Sequence, residues 1–129
     1  MGAPAITINN PGENDLVGRT APIFNVRIKD PNLDKMWYTI DGGINNVIFT
    51  VNGSINQVLW EVLWDSLSNG DSIFIRFYAN DTIRNINNEF ATVIKDEVKE
   101  SILGYNLIYL LFSIGLISIF LIKKCKRFI

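Results

Sequence analysis

The stretch Ser72-Ile-Phe-Ile-Arg-Phe-Tyr-Ala-Asn80 sets Ile73, Ile75, Phe77 and Ala79 against Ser72, Phe74, Arg76, Tyr78 and Asn80. A period of two places the first set on one face of a pleated strand and the second on the other, so the segment reads as a strand with one buried face. Upstream, Phe24, Val26 and Ile28 alternate with Asn25, Arg27 and Lys29 in the same way. Shorter β-rich runs stand at Ile6–Ile8, Met36–Ile40, Val47–Val51 and Phe90–Ile94. Asn10-Pro11-Gly12, Asp30-Pro31-Asn32, Asp41-Gly42-Gly43, Asn52-Gly53 and Asn69-Gly70 separate them, and all favour tight or left-handed backbone. Strands this closely spaced, with turn chemistry between them, predict an all-β antiparallel sandwich of about seven strands.

One segment departs from that period. Across Gln57–Leu67, Trp60 and Trp64 are four apart and Leu59, Leu63 and Leu67 repeat at the same interval, which is helical spacing. Asn69-Gly70 supplies a stop. The expectation is a short helix or helical turn across one end of the sandwich. Two tryptophans so close suit either a carbohydrate-stacking platform or a core plug, and the leucines in the same segment favour the plug.

The 129 residues allow one domain and an appendage. The net charge of -1 conceals a split: residues 1–100 hold eight Lys/Arg against thirteen Asp/Glu, a net −5, and residues 101–129 hold four bases and no acid, a net +4. Such asymmetry points to a membrane, and the lack of a basic stripe in residues 1–100 argues against nucleic acid as a partner. From Ile102 to Ile122 no residue is charged. Those residues would make roughly 31 Å of helix, against a hydrocarbon thickness of about 30 Å. Tyr105 and Tyr109 suit the headgroup layer at the outer end. Lys123, Lys124, Lys126 and Arg127 follow as a membrane stop, which by the positive-inside rule puts the C-terminus in the cytoplasm and residues 1–100 outside. A buried core helix, the competing reading, would show a polar face. Ser113, Gly115 and Ser118 make no small-xxx-small pair, so a dimerisation motif is not expected.

Residues 1–20 show neither a basic n-region nor an apolar run. The myristoylation pattern fails because position 6 is Ile. The expectation is a piece of a longer precursor, with self-insertion by the anchor as the alternative. Cys125, the single cysteine, falls in the expected cytoplasmic tail, so the external domain has no disulfide and rests on its apolar core. Beside a membrane and among lysines, Cys125 is a candidate for palmitoylation, the alternative being a free thiol.

Phe77-Tyr-Ala-Asn-Asp-Thr-Ile-Arg-Asn85, followed by a strand ending Val93-Ile-Lys-Asp96, resembles the closing hairpin of bacterial and archaeal immunoglobulin-like surface repeats. Pro22-Ile-Phe-Asn-Val-Arg-Ile-Lys-Asp-Pro-Asn-Leu-Asp34 and Trp37-Tyr-Thr-Ile-Asp-Gly-Gly43 resemble the paired second and third strands of those modules. The resemblance spans roughly residues 5–96 and implies a fold and a surface setting rather than an activity. Arg84 stands where those repeats usually carry Gly, at a cost of about 1 kcal/mol if the turn needs a positive φ. The expected architecture is an immunoglobulin-like β-sandwich over residues 1–96, a juxtamembrane linker at 97–101, a single transmembrane helix at 102–122 and a basic cytoplasmic tail at 123–129.

Catalytic chemistry is thin. The chain has no His, and no GxSxG, P-loop or dinucleotide fingerprint occurs, so a non-catalytic protein is expected. Asp30, Asn32 and Asp34 alternate as oxygen ligands do in calcium loops, and Asp81 lies near Asn85. Ca²⁺ is therefore the one candidate cofactor, set against the common use of Asp and Asn to cap their own turns. Two glycosylation sequons, at Asn52 and Asn80, stand on expected turns. The function expected is a membrane-anchored cell-surface module for adhesion, display or envelope structure, its partners being membrane lipid and other surface proteins or glycans. The alternative is the membrane-proximal stalk of a larger surface enzyme or receptor. A third reading, a soluble carbohydrate-binding module, requires Trp60 and Trp64 to be exposed.

Overall fold

A computed structural model describes residues 2–97 of the chain. Eight strands and one helix occur among them: β1 (Ala5–Asn10), β2 (Asp15–Val17), β3 (Ile23–Lys29), β4 (Leu33–Thr39), β5 (Val47–Ile48), β6 (Gly53–Ser54), α1 (Gln57–Ser66), β7 (Ser72–Asp81) and β8 (Ile86–Lys95). They form a three-stranded sheet ordered β1-β3-β6 and a five-stranded sheet ordered β2-β8-β7-β4-β5. Inward positions of both sheets supply the core, as alternation requires: Phe24 and Val26 from β3, Tyr38 from β4, Ile73, Ile75, Phe77 and Ala79 from β7, Val93 from β8. Phe24, Tyr38, Phe49 and Phe77 gather at its centre with ring centroids between 5.0 and 6.1 Å apart. All six pairs are tilted or edge-on, the arrangements an aromatic quadrupole favours.

The expected mostly-β, two-sheet architecture is present, with three differences. The five-stranded sheet is mixed rather than wholly antiparallel, because β2 pairs with β8 in parallel. The chain reaches it by a turn in which Asn14 adopts φ 64° and Gly12 N–H donates to Asp15 Oδ2 at 2.7 Å. It thus leaves β1 in one sheet and enters β2 in the other. The run Val47–Val51 shrinks to two strand residues, and Asn52-Gly53 is no hairpin turn but the entry to β6, which pairs with Ile23 and Phe24. Asn52 helps to fix that edge, since its Oδ1 accepts from Val26 N–H at 2.8 Å.

The helix falls where the spacing predicts, but neither end follows from Asn69-Gly70. Asn56 caps the N-terminus, its Oδ1 accepting from Leu59 N–H at 3.0 Å, while its own N–H donates to the buried Tyr38 hydroxyl at 2.8 Å. Burial raises the Tyr38 pKa above its ordinary value, against the opposing effect of the Asn56 N–H. The helix stops because Leu67 turns to extended backbone, φ −103° and ψ 156°. Gly70, at φ +91°, serves instead the turn that launches β7. Trp60 and Trp64 face inward and are buried, at 0% and 4% exposure. The plug reading holds, and the stacking-platform reading does not.

Arg84 does adopt a positive φ, 71°. Arg84→Gly therefore relieves left-handed strain of about 1 kcal/mol, partly offset by the greater freedom of glycine in the unfolded chain. The expected outcome is a net gain of roughly 0.5 kcal/mol, a rise in melting temperature of about 2–4 °C. A lower melting temperature would show that the Arg84 side chain contributes more than its backbone costs.

Among the described residues no helix is long and apolar enough to cross a membrane. The expected span 102–122, the stop at Lys123, Lys124, Lys126 and Arg127, and Cys125 lie outside the described residues.

Candidate functional site

The outward positions of β7 carry Phe74, Arg76 and Tyr78, and the register aligns them with neighbours on both sides. Tyr78 faces Trp37 on β4 and Asn88 on β8, Arg76 faces Thr39 and Phe90, and Phe74 faces Thr92. Residues directly opposite in an antiparallel pair share a face, so these side chains form one surface on the five-stranded sheet. Trp37 and Tyr78 stack with ring planes 3° apart and centroids 5.3 Å apart. Phe74 and Phe90 meet edge to face at 5.9 Å, and the Arg76 guanidinium lies 4.6 Å from the Phe90 centroid. Arg76 Nη1 also donates to Asn88 Oδ1 at 2.5 Å, so the cation is held from two directions.

Where this surface meets the loop after β4 and the end of α1 it sinks into a cleft of about 340 Å³. Leu63 and Leu67 of α1 form an apolar wall, and Phe74, 54% exposed, forms another. Thr39, Asp41, Ser72, Arg76 and Tyr78 supply the polar lining. Asp41 is committed to its own loop: Oδ1 accepts from the Thr39 hydroxyl and Asn45 N–H, both at 2.9 Å, and Oδ2 from Asn45 Nδ2 at 2.8 Å. Burial pushes its carboxyl up, but the donors from Asn45 and Thr39 outweigh that and hold it below its ordinary value. The Ser72 and Tyr78 hydroxyls accept and donate to no protein group among the described residues, and Arg76 makes no ion pair there.

The residues singled out from the sequence lie elsewhere. Asp30 caps its own turn, its Oδ1 accepting from Asn32 N–H at 2.7 Å, while the Asn32 carbonyl accepts from Thr82 N–H at 2.9 Å. Asp34 is exposed on β4, at the irregularity between Leu33 and Lys35. Among the described residues no group of three or more His, Cys, Asp or Glu stands ready to hold a metal ion. Asn80 lies within β7 rather than on a turn, because its Oδ1 accepts from Lys35 N–H at 2.8 Å across that irregularity.

Asp81 and Asn85 do come together, to close the β7–β8 turn. Asp81 is 3% exposed; its Oδ1 accepts from Ile83 N–H at 3.0 Å and Asn85 N–H at 2.8 Å, and its Oδ2 from Asn85 Nδ2 at 3.0 Å. Burial raises its carboxyl, and the donors from Asn85 and Ile83 more than reverse that, leaving it below the ordinary 3.8. A depressed folded pKa stabilises fully above the unfolded value and ceases to do so as pH falls through the folded one. Asp81→Asn is thus expected to melt several degrees below the parent at pH 7, the two converging as pH is taken well below 3.8. A gap constant with pH would show that shape, not charge, holds the turn.

Sequence reasoning missed two things. The half-buried Trp37 and Tyr78 and the exposed Phe74 and Phe90 went unread as a surface, although the alternation across Ser72–Asn80 already put Phe74, Arg76 and Tyr78 on one face. Lys95, 4% exposed, went unread altogether: its Nζ donates to the Trp64 and Leu67 carbonyls, each at 2.7 Å, and lies 4.6 Å from the Trp64 ring.

No family model matches the chain, and no curated protein matches it. Among solved structures the chain is similar to an engineered protein, at 11% identity and a TM-score of 0.48, over 71% of this chain and 20% of that one. The chain therefore spans about a fifth of the length of that protein.

Proposed function

We propose that the chain is a non-catalytic binding and display module of a cell surface, an immunoglobulin-like sandwich carried by a single membrane-spanning helix over residues 102–122. The observation that carries the binding reading is the aromatic outer face of β4, β7 and β8, with Phe74 and Phe90 exposed on it, its cleft, and a guanidinium with no ion pair among the described residues. A sheet face that served only as scaffold would gain nothing from exposing Phe74 and Phe90, at 54% and 43%. The immunoglobulin-like reading is supported by the strand order, in which a GFC-type core of β8, β7 and β4 faces β1, β3 and β6. The surface setting is supported by the uncharged run Ile102–Ile122 and the four bases after it. A stalk beneath an upstream domain is favoured by one observation: only six residues separate Lys95, the end of β8, from Ile102, which would keep the sandwich close to the bilayer.

Cys125 is the sole cysteine and so a ready topology probe. In cells expressing the full chain, a membrane-impermeant maleimide is expected to label Cys125 only after lysis. It should label a Val58→Cys, Cys125→Ser chain on intact cells, since Val58 is 69% exposed on α1. Recovery of the chain in the soluble fraction, or labelling of Cys125 on intact cells, overturns the proposal.

A further inference from the structure

We infer that the cleft between β4, β7 and the end of α1 binds a carboxylate-bearing sugar residue, with Arg76 pairing its carboxylate. Arg76 is the only charged residue on the cleft floor whose hydrogen-bonding capacity is not used up. Asn88 takes one N–H, the Phe90 ring covers one side, and no carboxylate pairs with it among the described residues. A guanidinium offers five N–H donors in a rigid fork that matches a carboxylate, and this one is already held in place. Pinning it beforehand lowers the entropy cost of using it.

The rest of the lining argues for a hydroxylated body behind that carboxylate. Five of the eleven residues around the cleft carry a hydroxyl, carboxylate or guanidinium. The Ser72 and Tyr78 hydroxyls have no protein partner among the described residues, so each is free to donate to a sugar hydroxyl or accept from it. Phe74 and the leucines offer apolar surface for the C–H face of a ring. A volume of about 340 Å³ lies at the small end of ligand pockets, fitting one or two rings rather than a folded segment. The net −5 of residues 1–100 opposes an incoming anion, so binding is expected to be weak and to depend on this local cation. The inference does not depend on the membrane anchor, because all the residues involved lie between Thr39 and Phe90.

The test is calorimetric titration of the full chain in non-ionic detergent with glucuronate, glucose and hexaglutamate. Glucuronate is expected to bind in the millimolar range, with glucose weaker by at least about tenfold for want of the charge-assisted pair. Arg76→Gln should weaken glucuronate by about tenfold or more, and Tyr78→Phe, which keeps the ring stack and removes only the hydroxyl, by several-fold. Melting curves of both variants confirm folding, and Tyr78→Phe carries the test alone if Arg76→Gln fails to fold. No heat with glucuronate at tens of millimolar (~10-fold above the expected range), equal affinity for glucose, or binding unaltered in both variants overturns the inference. Tighter binding of hexaglutamate than of glucuronate overturns it too, in favour of an acidic peptide.

Discussion

Trp60→Ala is expected to cost about 4 kcal/mol, much of the stability a domain of this size possesses. Trp60 is 0% exposed and its Nε1 donates to the Gly18 carbonyl at 3.0 Å, so the indole both fills the end of the sandwich and ties α1 to the segment before β3. Truncation removes the largest side chain in the core and leaves the Gly18 carbonyl buried without its donor. The neighbouring residues cannot collapse into the space, because Trp64 packs 6.3 Å away and its position is set by Lys95. A fall in melting temperature of roughly 20 °C follows for a domain of this length. Urea unfolding followed by circular dichroism measures it, with Val62→Ala, on the exposed side of the same helix, as the near-neutral control. A loss for Trp60→Ala no larger than that of the control would mean that the helix does not close the core.

Lys95→Met is expected to cost about 3 kcal/mol, and the loss should be insensitive to salt. Methionine matches the stem in length but leaves the Leu67 carbonyl without the ammonium and takes from the buried Trp64 carbonyl the second of its two donors, the first being the Leu67 N–H at 3.1 Å. The contact of Lys95 Nζ with Glu97, at 3.4 Å, contributes little, since the glutamate side chain is 58% exposed. Most of the effect therefore comes from a cation donating to neutral carbonyls and facing the Trp64 ring, which salt screens weakly. Urea midpoints measured in low and in molar salt should differ between parent and variant by the same amount. A gap that closes in high salt would assign the role of Lys95 to Glu97 instead. A variant as stable as the parent would show that desolvating the ammonium cancels what its hydrogen bonds contribute.

Lys95 also shows where sequence reading stops. Ala91, Val93 and Lys95 continue an inward-facing series along β8. Yet a lysine at the end of a strand, beside acids, reads as a solvated terminus. What makes it a buried helix cap is the carbonyls of Leu67 and Trp64 at the end of α1, arriving beside it from 28 and 31 residues away in the chain. The tryptophans teach the same lesson in reverse. Leucines at four-residue spacing correctly marked Trp60 and Trp64 as core. Nothing local to Met36–Ile40 marked Trp37 as half of an aromatic stack on the outer sheet face, because its partner Tyr78 is fixed only by strand register. The calcium reading of Asp30, Asn32 and Asp34 rested on alternation along the chain. The fold spends Asp30 on its own turn and sets Asp34 out on a strand.

The sequence by itself determined the two-residue alternation of β3 and β7, the helical segment and the absence of histidine chemistry. Each depends on the intrinsic geometry of neighbouring residues, and a period of two or of 3.6 is a local property. Tertiary structure alone decided that β2 lies parallel to β8, that Gly53–Ser54 forms an edge strand and that Lys95 is buried. It alone brought Phe74, Arg76 and Tyr78 to a cleft with Leu63 and Leu67. Those outcomes depend on pairing between segments far apart in the chain, where the choice among partners is made by burying the whole apolar face at once rather than by any one segment.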